Sequence, residues 1–401
     1  MISFEESMRL LHSLDVTPCG VEKLFLTQTL GRFLAQDIIA TTNSPELPTA
    51  AMDGYAVRYE DMDKKRLKVL ADNPAGNEVT MPVEPGFAIK TFTGSLMPEG
   101  ADTLIPIENV NLIGEEIEIV ELVKKGFSVR PVGENYKQGE TLIAKGSRIG
   151  FAEIGVMGSL NIVMPKVYQK PKVAVLATGS EVLEIGEQQT NAAQIRSSNN
   201  YTLEALIKQH GGECVQLGAV KDDKATITQN MHEALHSADI VVSTGGVSVG
   251  DYDFVKDVVR NELGAEVVFK GVVIKPGQHV MIAQKGQKFI VALPGFAYSS
   301  TVTFMLYVLP LIYRMQGSEY KPTMVYATLK EPFVKKSKKT EFTPCRILIE
   351  DGEFFVDFAG NREGSSAILT NMLGPNRALA VTTPQEGNKE AGERILVWLL
   401  S

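Results

Sequence analysis

Residues 177–181 read ATGSE, residues 221–223 read KDD, and residues 243–253 read STGGVSVGDYD. In the first, Gly179 lets the backbone approach a ligand and Glu181 follows directly. In the third, Gly245, Gly246 and Gly250 leave backbone N–H groups open to an anion, and Asp251 and Asp253 open the next helix. Carboxylates beside an anion cradle repel its guest unless a cation lies between them. Mg²⁺ resolves that conflict because it binds carboxylate and phosphate oxygens together. Taken singly, an aspartate at a helix start reads as a cap and a glycine-rich turn as a turn. Three acid-bearing loops at successive strand ends, carrying Glu181, the Asp222–Asp223 pair, and Asp251 with Asp253, read as a site. A fourth segment, IKPG at 274–277, sets Lys275 at a strand end before a rigid turn, either as a fixed positive charge facing an oxyanion or as a solvated surface lysine.

Two further patterns need weighing. His232 and His236 lie in HEALH, the HExxH spacing of zinc peptidases. The apolar stripe of the same helix runs through Ile227, Met231, Ala234 and Leu235, which turns both imidazoles away from the packed face. AMDGYA at 51–56 and FTGSLMPEGADTLIPIE at 92–108 hold Asp53, Thr93 and Gly94 near turns, and an Asp before Gly reads first as a turn residue.

The elements that must position these loops follow from periodicity. Strands are expected at 173–177, 215–220 and 240–243, with helices at 200–209, 224–236 and 253–263 between and after them, the alternation of an α/β layer with a mostly parallel sheet. Ligands in such layers bind at the C-terminal ends of the strands. Residues 43–139 are rich in Gly, Pro and short apolar runs and read as β-dominated. Beyond 320, strands at 323–329, 346–349, 354–358, 378–381 and 395–399 alternate with turn signals, predicting a small barrel or sandwich.

The bulk composition narrows the function classes. A net charge of −8 opposes a phosphate backbone, and no basic run interleaved with aromatics offsets it, which excludes nucleic acid as a partner. Cys19, Cys214 and Cys345 form no CxxC pair, so neither a disulfide framework nor a thiolate zinc site is expected, and a reducing, cytoplasmic setting fits. Ser3 and Glu6 have capping-box spacing ahead of an amphipathic helix, which is not the pattern of a signal peptide. Residues 289–313 lack charge over a span long enough for a bilayer, but the Pro294–Gly295 turn, the hydroxyl residues and Pro310 favour a buried helix.

In this order the segments AMDGYAVR, FTGSLMPEGADTLIPIE, VAVLATGSEV, the SSN at 197–199, DIVVSTGGVSVGDYDF, IKPG and ALPG resemble the molybdopterin molybdenumtransferase family, which includes MoeA and the related domain of gephyrin. The resemblance implies an α/β plus β multidomain fold. A doubly wound α/β domain like molybdopterin adenylyltransferase would take 1–17 and 166–316, an elongated connector 18–42 and 140–165, a β-rich domain 43–139 and a C-terminal β-barrel 317–401. It implies insertion of molybdate into adenylylated molybdopterin with release of AMP, Mg²⁺ held by Glu181, Asp222 and Asp253, and a homodimer whose active site is shared between subunits. Asp53 and Thr93 would then act with Glu181, Asp222, Asp253 and Lys275 of the partner. Gly179, Ser198, Asn199, Gly245, Gly246, Ser248, Gly250, Pro276, Gly277, Pro294 and Gly295 would surround the ligand, and Lys275, Ser299, Arg346 and Ser366 would receive molybdate. Molybdopterin adenylyltransferase and molybdoenzyme maturation proteins are implied as further partners, and no membrane. Several positions depart from the family pattern. Gln278 and His279 replace the second lysine and proline of KPGKP, Phe296, Ala297 and Tyr298 replace NPV in PGNPVS, and Asn135, Ser180 and Ser197 replace usual acids. The departures frame an alternative, a catalytically weakened paralogue that binds molybdopterin or scaffolds a partner.

Overall fold

The computed structural model describes residues 1–77, 81–246, 254–362 and 367–400. The chain forms two compact units, one of residues 1–35, 146–150 and 164–401, the other of residues 36–145 and 151–163.

The first unit is built on a six-stranded sheet. Its order is Glu213–Val220, Lys172–Thr178, Ile240–Thr244, Lys288–Leu293, Met281–Lys285 and Glu266–Lys270. The first four strands are parallel; Met281–Lys285 runs antiparallel to them, and Glu266–Lys270 at the edge runs antiparallel to Met281–Lys285. Successive residues of Lys172–Thr178 serve opposite layers: Val173 and Val175 pack with Leu203, Ile207 and Leu11, while Ala174 and Leu176 pack with Ile227, Met231 and Ala234. Burial on both faces accounts for the unbroken apolar reading of that strand. Each fully buried side chain of this size contributes about 1.5–3 kcal/mol relative to exposure. The strands that follow Lys172–Thr178 in sequence settle on either side of it. That reversal marks the C-terminal strand ends beside Lys172–Thr178 as the place where sheets of this kind take ligands.

The helices follow local signals. Ser3 caps Phe4–Ser13 by accepting the Glu6 N–H at 3.1 Å, and Asp223 caps Lys224–Ser237 by accepting the Thr226 N–H at 2.8 Å. The third expected helix differs: Phe254–Asp257 is α-helical, but Val258–Glu262 widens into a π turn. The uncharged stretch divides into Ala297–Tyr307 and Leu309–Met315, with Pro310 opening the second helix and nearly all of both buried. Among the described residues no helix is long and apolar enough to cross a membrane.

Five strands close into a barrel in the C-terminal part. Thr340–Glu350 pairs with Glu353–Asp357 on one side and Arg377–Thr382 on the other, and Arg394–Leu399 and Met324–Leu329 complete the ring. Ala378 and Ala380 fill its interior, whereas Leu379 and Val381 pack onto the α/β core, so one strand serves two cores by alternation. Thr340 and Glu341 also pair in parallel with Ile274 and Lys275, joining the barrel to the KPG segment.

The second unit holds a six-stranded sheet in the order Thr103–Pro106, Gly54–Val57, Phe87–Thr91, Arg66–Asn73, Glu116–Ile119 and Val110–Ile113. Its core includes Tyr55, Val57, Leu67, Ile105 and Ile117. Gly54 begins the strand after Asp53 for a steric reason: a Cβ there would lie 2.3 Å from the Ile105 carbonyl oxygen.

Candidate active site

In the first unit the acid-bearing loops converge at one end of the parallel strands. The Gly179 N–H donates to the Val220 carbonyl at 3.1 Å, and the Asp222 N–H donates to Ser180 Oγ at 3.4 Å, so the ATGSE and KDD loops are adjacent. The Glu181 carbonyl accepts the Ile195 N–H at 2.9 Å, which draws in the segment leading to Ser197, Ser198 and Asn199. Gly245 donates to the Leu293 carbonyl at 3.0 Å and takes φ +91, where a Cβ would stand 2.7 Å from the Thr178 carbonyl oxygen. Gly246 follows it at the same strand end. Asn199 Nδ2 donates to the Gly295 carbonyl at 2.7 Å, tying the SSN segment to the ALPG turn of Pro294 and Gly295.

Polar demand is left open at this end of the sheet. Ser197 Oγ, Ser243 Oγ and Thr244 Oγ1 are buried with no hydrogen-bond partner among the described residues. Such groups are costly unless a guest or water satisfies them. Glu181 forms no ion pair among the described residues, which leaves hard carboxylate oxygen at the strand ends. The expected positions Ser248, Gly250, Asp251, Asp253 and Ser366 lie outside the described residues. Glu181 and Asp222 are thus brought together at adjacent strand ends, and no group of three metal-binding side chains occurs among the described residues.

Lys275 opens on a cavity of about 430 Å³ between the KPG turn and the barrel. Pro276 shares its wall, and Pro276 and Gly277 are both buried. The Lys275 ammonium lies 3.7 Å from Glu341 Oε1, whose side chain is 4% exposed. Glu341 also accepts the Ser337 hydroxyl at 2.6 Å. Lys336 and Arg362 add positive charge to the wall, and Asn371 grips the Arg362 backbone on both sides, accepting its N–H at 2.8 Å and donating to its carbonyl at 3.0 Å. Arg346 is placed differently from the reading by resemblance. Its guanidinium forms two bonds to Asp357, at 3.2 and 2.7 Å, and does not line the cavity. Ser299 is buried inside its helix and its neighbour Tyr298 reaches the wall instead, donating to the Phe342 carbonyl at 2.6 Å. Sequence reading missed Lys336, Glu341 and Arg362, because their place depends on how barrel loops close over the KPG turn.

In the second unit Asp53 and Thr93 meet. Thr93 donates to Asp53 Oδ1 from both its N–H and its hydroxyl, and these bonds hold the exposed carboxyl below its ordinary pKa. His232 and His236 lie exposed on their helix, opposite buried Met231, Ala234 and Leu235, as the periodicity predicts.

Comparison with known proteins agrees with this architecture. Residues 2–160 match the family described as MoeA N-terminal region (domain I and II), and residues 174–314 match the probable molybdopterin binding domain. The molybdopterin molybdenumtransferase of a Nostoc species is 32% identical over 378 residues, covering 92% of this chain and 86% of its own. That of Haemophilus influenzae is 31% identical over 388 residues, covering 95% and 94%. The molybdopterin biosynthesis MoeA protein of Pyrococcus horikoshii OT3 superposes over 100% of both chains with a TM-score of 0.85 at 28% identity. Sequence and overall fold agree, and the chain belongs to the molybdopterin molybdenumtransferase family.

Proposed function

We propose that this protein is a molybdopterin molybdenumtransferase that inserts molybdate into adenylylated molybdopterin and releases AMP. The observation that carries the reading is the link between two sites of opposite charge. Gly295 accepts the Asn199 side chain at the strand ends, and three residues later Tyr298 lines the cationic cavity of Lys275. One short segment therefore ties an acid-bearing anion cradle to an oxyanion pocket.

Glu181 and Asp222, with Asp253, would hold Mg²⁺, whose charge would offset the phosphate oxygens of the nucleotide-capped substrate. Gly245 and Gly246 let the chain lie close to that guest, and the Ser197, Ser243 and Thr244 hydroxyls, which have no partner among the described residues, offer it hydrogen bonds. Lys275 and Arg362 would bind molybdate through charge-assisted bonds, while Glu341 fixes the lysine head. Asp53 and Thr93 would complete the site across a homodimer.

The deciding experiment follows AMP release from adenylylated molybdopterin. The wild-type chain should release AMP only with both molybdate and Mg²⁺, and Glu181→Ala should abolish release. AMP release that ignores molybdate, or survives Glu181→Ala unchanged, would defeat the reading.

A further inference from the structure

The wall of the Lys275 cavity carries Lys275, Lys336 and Arg362 against Glu331 and Glu341, which leaves one net positive charge. That is too little for a tetrahedral dianion, and Lys275 already shares its charge with buried Glu341 at 3.7 Å. A further ammonium approaches the same turn from the barrel. Lys339 directly precedes Thr340, which pairs with Ile274, and its ammonium donates to Oε1 of Gln278 at the far end of the KPGQ turn. The Gln278 amide nitrogen in turn lies 2.8 Å from His279 Nε2, which orients the amide.

Two features make this more than a surface contact. Gln278 is a neutral acceptor, so it fixes the ammonium without cancelling its charge, and Lys339 forms no ion pair among the described residues. A lysine side chain reaches one bond farther than a glutamine oxygen. A lysine at position 278 could therefore reach past the Gln278 oxygen toward the region that the Lys339 head occupies.

We propose that Lys339 is an oxyanion-binding residue of this site, a second ammonium that Gln278 directs toward the guest of Lys275. Lys339 and Gln278 each stand two residues from a lining residue, Glu341 and Pro276, rather than in the wall itself, and the added ammonium brings a second net positive charge to the turn beside the cavity, matching a dianion such as molybdate. The inference rests on the proposed function and names one more group that selects its inorganic substrate.

Titration of the full chain with molybdate alone, followed calorimetrically, tests the assignment. Lys339→Met should weaken molybdate binding by about tenfold, the worth of one charge-assisted contact. The double variant Lys339→Met, Gln278→Lys returns an ammonium to the same region and should recover most of the affinity, which separates a charge effect from a folding defect. Unchanged affinity in Lys339→Met, with binding lost in Lys275→Met, would overturn the role of Lys339 and leave the function standing. A double variant no better than Lys339→Met would also overturn it, and a wild-type chain that binds no molybdate would overturn both.

Discussion

Thr93 donates twice to a single oxygen of Asp53, from its N–H at 2.8 Å and from its hydroxyl at 2.7 Å. Both bonds favour the ionised carboxyl, with the backbone bond the larger cause, so Asp53 stays charged to lower pH than an ordinary aspartate. Thr93→Val keeps the backbone donor and deletes the hydroxyl. The Asp53 pKa should then rise toward its ordinary value, read by carbon-detected NMR titration, and the acid limb of AMP release should move to higher pH with it. We expect kcat/KM to fall by roughly tenfold, as for one charge-assisted hydrogen bond lost. An unmoved Asp53 titration would show that the hydroxyl does not act on the carboxyl.

The HEALH segment gives an expectation of the opposite kind. His232 and His236 are exposed, and the packed side of their helix is Ile227, Met231, Ala234 and Leu235. Replacing both histidines with alanine should leave stability within about 0.5 kcal/mol, as for other surface substitutions, and AMP release unchanged. Stoichiometric zinc in the wild-type protein, lost in the double variant, would reverse this expectation.

How far these sites could be read in advance depended on the range of the interactions involved. The strand at 173–177 and the helix at 224–236 lie within a residue of Lys172–Thr178 and Lys224–Ser237, because a continuous apolar run and the helical spacing of Ile227, Met231, Ala234 and Leu235 are local signals. The π turn at Val258–Glu262 left no such mark, since it arises where a helix is already packed. Thr340–Glu350 was expected only from 346 onward, because its first half is specified by pairing with distant Ile274 and Lys275. For the same reason Glu341 and Arg362 were invisible as neighbours of Lys275, while Lys275 itself was legible from its KPG turn. Arg346 was the barrel guanidinium chosen by resemblance, and its partner Asp357 is fixed only by antiparallel register.

Stability should depend on His210. It is partly buried between Tyr313 and Tyr320, with Nδ1 3.0 Å from the Tyr313 hydroxyl, and burial first and Arg148 second push its pKa down to about 4. The unfolded chain, whose histidine titrates near 6.5, therefore binds more protons than the folded one below that pH. Stability is full above about pH 6.5 and is lost as pH falls toward 4, by about 1–2 kcal/mol after allowance for the ring's partial exposure to solvent. Thermal melts at pH 7 and pH 5 should therefore differ less in His210→Phe than in wild type. Equal pH dependence in the two proteins would mean that the ring is not held neutral.

The shared site makes the sharpest demand. If Asp53 and Thr93 of one subunit serve the strand ends of the other, Asp53→Ala and Glu181→Ala each inactivate both sites of a homodimer. A mixed dimer then carries one doubly damaged site and one intact site. Random exchange of equal amounts makes half the dimers mixed, so AMP release should return to about one quarter of wild type. The mixture is compared with each mutant alone, before and after subunit exchange. Recovery that requires exchange means that the two residues act in trans; no recovery, with exchange confirmed by mass, means that each chain completes its own site.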